Sequence, residues 1–309
     1  MKYRLTKTIA TVLFLVLPSL RSEVAPTELQ KVKEKISIDG VLGEKAWKDA
    51  KSWKVDYIFG KLNTLSKEPR MRVKYLWDDF YLYIGYEVND ANLVNISKGR
   101  LDGPPDNQRV VAEIWKDGVD VDIIEFFITF GDQNFFWELH HNALNQLGDV
   151  LIMRDLPYWK KGKSSIARYG IYFAEGEDIQ DESYKLFTET KNYRLKTAVH
   201  LKPKADGNPS TPNDGSDVDT GYTAELRLPL IGLGVPLKKK LTKKHPPIEE
   251  DGRPIVEGIG WDMKGQEISI LAVIQNGDLK DRYHHSGPSV PGGWFHNGVA
   301  KYPKFVMKE

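Results

Sequence analysis

Hydrophobic and polar positions alternate along much of this chain, and the alternation is most regular across residues 119–149. Two apolar stretches there flank residues 131–134 (Gly-Asp-Gln-Asn), which predicts a β-hairpin with a four-residue turn. If Phe130 pairs with Phe135, one face of the hairpin carries no polar residue. That face should point to the core, because a slip of one residue would turn it to water. Its members are Phe126, Ile128, Phe130, Phe135, Trp137 and Leu139.

The other face of this hairpin mixes acidic, imidazole and aromatic side chains. The same register gives the cross-strand pairs Glu125–His140, Phe127–Glu138 and Thr129–Phe136. Such a face suits a polar-ligand site. It is equally typical of a solvated outer face carrying a cross-strand Glu–His pair, which contributes only ~0.2–1 kcal/mol. The residues of the hairpin leave both interpretations open.

Residues 71–88 predict a second hairpin, with a two-residue Asp78-Asp79 turn between two alternating strands. In this register Lys74 lies opposite Tyr83, and Trp77 belongs to the core-facing side. The remaining residues of that side are Met71, Val73, Tyr75, Leu82, Ile84 and Tyr86.

Shorter segments complete the pattern. Residues 36–40 predict a short strand ending in an Asp-Gly turn, residues 41–47 a single helical turn that places Trp47 inward, and residues 53–59 another strand. Further strands are expected at residues 168–174, 193–201, 220–228, 267–274 and 304–307. About ten to twelve short strands with long loops and almost no helix predict an all-β, antiparallel β-sandwich, immunoglobulin-like or jelly-roll-like.

The first 22 residues differ from the rest of the chain. Three basic residues precede an apolar stretch at residues 9–17 that is too short to span a bilayer, as in a cleaved secretory signal. An uncleaved anchor is the alternative. We therefore expect a signal peptide at residues 1–22, a polar leader at 23–35, one sandwich domain at 36–309, and a secreted or periplasmic location. No later segment is apolar enough to cross a membrane.

Charge and cysteine content narrow the classes of function. Four of the 44 basic residues and none of the 43 acidic residues lie in the first 22 positions, so the remainder carries a net charge of −3. This balance gives no electrostatic reason to expect nucleic acid or an anionic membrane as a partner. The chain has no cysteine, so its stability outside the cell must come from its core.

Five motifs in this order resemble family 9 carbohydrate-binding modules and their stand-alone secreted relatives, over residues 36–309. They are Ile38-Asp39-Gly40 with Glu44 and Trp47, residues 76–83 (LWDDFYLY), residues 124–128 (IEFFI), residues 136–149 (FWEL through GD), and residues 221–229 (GYTAELRLP). The resemblance implies a β-sandwich that binds sugar, often at chain ends, between two tryptophans, sometimes with a structural calcium ion.

The resemblance also implies particular site residues. The two stacking tryptophans fall on Trp294 and Trp115, and the acid that hydrogen-bonds sugar hydroxyls falls on Glu125. A family arginine falls on Glu138 here, so the polar set differs. A late-strand amide falls on Gln275 or Asn276. The mixed hairpin face adds Glu138 and His140 to this set, since flat aromatic rings and a few polar groups together suit a pyranose.

Metal ligands are a further possibility in the loops. Asp90, Asp102 and Asp106 lie in the predicted loop at residues 89–107, and calcium takes several loop oxygens; ordinary loop acids are the alternative. Neighbouring residues on a strand point to opposite faces, so His140 and His141 cannot hold one metal together. The pair at residues 284–285 could do so from a loop.

Two other classes of function stay open. A glycoside hydrolase, or its accessory subunit, would need two carboxylates in a cleft; Glu125 and Glu138 would be close, and Glu225 could join them. A haem-binding electron-transfer sandwich would use Met71, Met153, Met263 or His140, although no Cys-x-x-Cys-His motif is present. The resemblance favours an exported, non-catalytic carbohydrate-binding protein with no cofactor except calcium. The sugar and the oligomeric state are not determined by the sequence.

Overall fold

The computed structural model describes ten ranges of the chain. These are residues 26–58, 64–95, 121–130, 135–153, 166–169, 195–230, 233, 266–277, 281–284 and 302–308. Within them lie fourteen strands and one short helix, α1 (Lys45–Asp49). None of the helices in these ranges is long and apolar enough to cross a membrane.

The strands are short, as the alternating pattern predicts. They are β1 (Thr27–Lys31), β2 (Ser52–Val55), β3 (Tyr57–Ile58), β4 (Met71–Trp77), β5 (Tyr81–Val88), β6 (Ile123–Phe130), β7 (Phe135–His141), β8 (Leu147–Met153), β9 (Ile166–Tyr169), β10 (Lys196–Leu201), β11 (Tyr222–Pro229), β12 (Glu267–Asn276), β13 (Asp281–His284) and β14 (Lys304–Met307). Four of the later strand predictions are confirmed to within a few residues. The strand expected at 168–174 begins earlier, at Ile166.

The strands form two layers joined at one edge. One layer has the order β10-β11-β5-β4, with β2 also on β4, and the other has the order β9-β8-β7-β6-β12-β14, with β13 and β3 beyond β12. Strand β1 runs parallel to both β4 and β14 and so belongs to both layers. The all-β sandwich prediction is confirmed, with more strands than the ten to twelve expected.

The two predicted hairpins supply opposite walls of one core. In the central hairpin Ile128 pairs with Trp137 and Phe126 with Leu139, in the predicted register. All four side chains are buried in the main hydrophobic cluster. The facing wall of the same cluster comes from β4 and β5, through Met71, Val73, Tyr75, Trp77, Leu82, Ile84 and Tyr86.

Two details of the second hairpin differ from the prediction. Lys74 pairs with Gly85, not with Tyr83, whose partner is Leu76. The turn also lies one residue later than predicted. The Asp78 N–H donates to Tyr81 O at 3.0 Å, so the two turn residues are Asp79 and Phe80. The Asp78 carboxylate accepts hydrogen bonds from the backbone N–H groups of Phe80 and Tyr81, each at 2.8 Å, and these bonds hold the turn in that position.

The N-terminal part departs further from the expectation. Residues 36–40 form no strand; Gly40 has a φ of +87°, which ends extended structure there. The strand expected at 53–59 is divided into β2 and β3 around Asp56. The segment described as a polar leader contains β1, a strand that its polar sequence TELQK did not signal. The division of the chain into signal, leader and domain otherwise stays a prediction.

Helix α1 covers the outer face of the β4–β5 layer. Trp47 is fully buried there, as predicted, within a small cluster that includes Leu76, Tyr81 and Tyr83. The Lys74 ammonium, on the same face of β4, donates to the backbone carbonyl of Trp47. The indole lies directly over Gly85, where an added Cβ would be 3.0 Å from the ring and 2.8 Å from Leu42 Cδ2.

Replacing Gly85 by Ala should therefore destabilise the protein. The new methyl group needs space that Trp47 and Leu42 occupy, and overpacking of this kind costs ~1–3 kcal/mol. Chemical denaturation would measure the loss. Gly215→Ala is the matched control, because an added Cβ there meets no atom within 4 Å. Equal stability of the two variants would contradict the role given to Gly85.

Candidate functional site

The mixed face of the central hairpin brings three functional side chains together. Glu125 on β6 lies opposite His140 on β7, and Glu138 is two residues before His140 on the same face. One donor atom from each of the three lies within 4.8 Å of the others. The Nε2–H of His140 donates to Glu138 Oε1 at 3.1 Å. The predicted register is thus confirmed, and with it the proximity of these three residues.

These three side chains are buried. Glu125 is 3% exposed, Glu138 9% and His140 6%. The interpretation of this surface as a solvated outer face is therefore wrong. The neighbouring Phe127 is buried against the rings of Phe136 and Tyr302, which lies just before β14. A buried carboxylate is costly unless it is paired, hydrogen-bonded or coordinated. A site with two buried carboxylates needs a positively charged partner, or protonation of at least one of the carboxylates.

Only some of the other predicted ligand residues can be placed. Gln275 is half-buried on β12 and pairs with Ile123, whereas its neighbour two residues earlier, Val273, pairs with Glu125. Gln275 is therefore on the same face, one position further along the sheet. Trp294 and Trp115 lie outside the described residues, and so do Asp102 and Asp106.

Asn276, the alternative amide, has a structural task instead. It is fully buried and donates through Nδ2 to Asp90 Oδ2 at 2.5 Å, while Asn92 N–H donates to Asp90 Oδ1 at 3.1 Å. The nearby Asp122 carboxylate accepts from Gly277 N–H at 2.8 Å and from Val94 N–H at 2.7 Å. Two buried acids thus fix the loop after β5 against the end of β12.

His141 faces the opposite side from His140, as the strand geometry predicts. The Tyr86 hydroxyl donates to His141 Nδ1 at 2.5 Å, and His141 Nε2–H donates to Asn145 Oδ1 at 2.9 Å. These bonds select the neutral tautomer, and burial lowers the pKa of His141 to about 4. His141 is therefore a core residue and takes no part in the mixed face. Of the pair 284–285, residue 284 ends β13 and residue 285 lies outside the described part.

Glu225 does not join Glu125 and Glu138. It lies on β11, in the other layer, and is fully buried. Its Oε2 accepts from the backbone N–H groups of Asp39 and Gly40, both at 2.9 Å, and its Oε1 accepts from Trp47 Nε1–H at 2.7 Å. Burial nevertheless raises the pKa of Glu225 to about 7.

This contact explains two of the sequence motifs that looked separate. The acid of the GYTAELRLP stretch binds the Asp-Gly turn and the tryptophan of the opening motif, and the hydroxyl of Thr223 donates to Gly40 O at 2.6 Å. The sequence carried one signal of this role: Glu225 alternates with the core residues Ala224 and Leu226, and so lies on the other face of β11. The motifs therefore mark a structural joint between α1 and β11.

Residues 38–129 match the family model described as carbohydrate family 9 binding domain-like. Over these residues the chain is similar to that family. The match ends within β6, so it covers the Glu225-bound opening motif and Glu125. A search among curated proteins finds no match.

Three solved structures are similar to the chain, one of them with a TM-score above 0.5. A proposed carbohydrate-binding protein from Bacteroides uniformis is similar at 10% identity and a TM-score of 0.52, covering 92% of this chain and 99% of that one. A family 9 carbohydrate-binding module from Caldicellulosiruptor kristjanssonii, in complexes with glucose and with cellotriose, is 13% identical with TM-scores of 0.44 and 0.42. The glucose complex covers 92% of this chain and 96% of that one, and the cellotriose complex 91% and 93%.

The raised pKa of Glu225 predicts a pH-dependent stability. Between an ordinary value of 4.5 and the folded value of about 7, the folded state binds more protons than the unfolded chain. Stability should therefore fall as pH rises through this window, by up to about 3 kcal/mol. Glu225→Gln should remove this dependence. It should also lower stability by ~1–3 kcal/mol, because one amide cannot accept all three hydrogen bonds.

Urea unfolding of both proteins from pH 4.5 to 7 would test this prediction, with Glu68→Gln, an exposed acid, as the control. The lowered pKa of His141 acts in the opposite direction, reducing stability as pH falls from 6.5 to about 4. The difference between wild type and Glu225→Gln isolates the contribution of Glu225. Parallel pH profiles for wild type and Glu225→Gln would contradict the prediction.

Proposed function

We propose that this is an exported, non-catalytic protein that binds carbohydrate, in polysaccharide recognition or breakdown. The observation that carries the proposal is the match of residues 38–129 to a carbohydrate family 9 binding domain-like model. The basic and apolar pattern of the first 22 residues supports export to the periplasm or the exterior.

The proposed site combines stacking with hydrogen bonding. Trp294 and Trp115 would stack on the apolar C–H face of a pyranose. Glu125 would accept from its hydroxyls, and Glu138, His140 and Gln275 would complete the polar set. Because Glu125 is almost fully buried, sugar binding at this carboxylate requires the covering surface to open. Half-buried Gln275 is the most accessible member of the polar set among the residues that the structure describes.

Hydrolysis of the sugar is the second function considered, and the geometry does not favour it. Paired catalytic carboxylates are ~5–5.5 Å apart in retaining glycosidases and ~6.5–9.5 Å apart in inverting ones. The donor atoms of Glu125 and Glu138 lie within 4.8 Å of each other, which is shorter than either of these separations. A role as an accessory subunit of a glycan-processing enzyme remains compatible with binding alone.

A haem site has little support from the described residues. Met71 is fully buried in the core, on the opposite side of the sheets from His140, so the two cannot share one haem. Met153 is placed only by its backbone on β8, and Met263 lies outside the described ranges. An absorbance scan for a Soret band would detect haem directly.

We also propose that Asp90, Asp102 and Asp106 hold a structural calcium ion. Asp90 fits this role in chemistry, since calcium takes carboxylate and other oxygen ligands. It is buried, and its two oxygens already accept from Asn276 and Asn92. The ion would therefore strengthen a loop that hydrogen bonds already hold.

Replacing Trp294 by Ala should abolish sugar binding without unfolding the protein, because a stacked aromatic supplies much of the apolar contact. A glycan array on the protein from residue 23 would identify ligands, and calorimetry would measure the affinity. Trp53→Phe is the control, because Trp53 packs edge-on against Phe305 on another part of the sandwich. Unchanged affinity in Trp294→Ala would remove Trp294 from the site. No binding by well-folded protein would overturn the proposed function.

Calcium should raise the melting temperature if the aspartate loop binds it. The increase should disappear in EDTA and in Asp102→Asn, which removes a charged ligand and leaves the Asp90–Asn276 contact in place. Thermal unfolding followed by circular dichroism would measure it. A melting temperature that is the same in calcium and in EDTA would contradict the calcium proposal and would leave the sugar proposal intact.

A further inference from the structure

The cluster of Glu125, Glu138 and His140 has the composition of a metal site. Two carboxylates and one imidazole come from two adjacent strands, and each contributes a donor atom within 4.8 Å of the others. All three are buried on rigid, fully paired strands. A ligand set held by two strands is more precise than one held by a loop.

The distances in the cluster fit a small ion. His140 Nε2 and Glu138 Oε1 are 3.1 Å apart. Two ligands at ~2.0–2.2 Å from a tetrahedral zinc ion lie roughly 3.3 Å from each other. An ion could therefore replace the shared proton of this pair with a shift of a few tenths of an ångström. The Glu125 carboxylate, across the strand pair, has an oxygen within 4.8 Å of both atoms and so is close enough to become the third ligand after a small side-chain movement.

The charges of the two carboxylates also favour a bound metal ion. Two carboxylates close together in a buried site repel each other, and ionising both without a cation is unfavourable. The same face presents the apolar side chains of Phe127 and Val273, both buried, on either side of Glu125 and Glu138. A divalent ion bound by the cluster would compensate both negative charges at once.

The donor types select the ion. Calcium takes six to eight oxygen ligands, so an imidazole in the set disfavours it. One nitrogen and two carboxylates suit zinc and its first-row neighbours, which accept His and Glu at similar distances. Three protein ligands would leave a fourth position for water or for a hydroxyl group of a bound molecule.

We propose that Glu125, Glu138 and His140 form a binding site for a divalent transition-metal ion, with zinc as the reference ion. The inference goes beyond carbohydrate binding and does not depend on it.

Calorimetry with ZnCl₂ on EDTA-treated, dialysed wild-type protein at neutral pH is the first test. We expect one zinc ion per chain and an increase in melting temperature. Glu125→Gln, Glu138→Gln and His140→Gln keep side-chain size and should each weaken zinc binding by roughly tenfold or more. His200→Gln, an exposed histidine on β10, is the matched control and should bind zinc as wild type does.

A second measurement uses only wild-type protein, in case a variant fails to fold. With ¹⁵N-labelled histidine, zinc should shift the ring signals of one of the 7 histidines, and cobalt should give a visible d–d absorption band that zinc displaces. No zinc binding by folded wild-type protein would overturn the proposal, and so would full binding in all three cluster variants. Sugar binding measured in EDTA is a separate readout, so failure of either proposal leaves the other testable.

Discussion

The buried carboxylate of Glu225 is the contact on which the N-terminal half of the sandwich depends. It joins the Asp39-Gly40 turn, the indole of Trp47 and strand β11, which are far apart in sequence. The indole in turn packs over Gly85 on β5. The three hydrogen bonds offset part of the cost of burying the carboxylate, although desolvation still raises the pKa of Glu225 to about 7. The short helix therefore has a fixed place on the sheet without a long apolar face of its own.

The core-facing side of both hairpins could be predicted from sequence because one face of each is wholly apolar, and the register of the central hairpin was predicted as well. A slip of one residue in β6 or β4 would expose a full row of large side chains, whereas a shift of two residues, as between the predicted and observed pairing of β4 with β5, keeps the same faces. The alternation of apolar and polar residues did not predict the structure where the apolar side chains do not determine it. Strand β1 is short and polar, and its place comes from backbone pairing with β4 and β14. The turn after Trp77 depends on the Asp78 carboxylate, which composition alone does not reveal.

The residues of the candidate site could be predicted from the sequence, whereas the burial of these residues could not. Because residues two apart on a strand share a face, the sequence places Glu138 and His140 together, and the hairpin register adds Glu125. Burial of that face depends on segments distant in the chain, such as Tyr302, and no local pattern reports it. The role of Glu225 was missed for a related reason, since its three donors lie about 180 residues earlier and meet it only in the folded chain.

Strand β1 has a consequence for the order of folding. It pairs with β14 in the register Thr27 to Phe305, so the two layers join through residues about 280 positions apart, a contact with a large loop-closure entropy. Such contacts slow folding, and this one cannot form until residues 304–307 have left the ribosome. The corner of the sandwich therefore stays open during synthesis. If the chain is exported as proposed, this late pairing would help to keep it unfolded, and competent for translocation, until β14 is available.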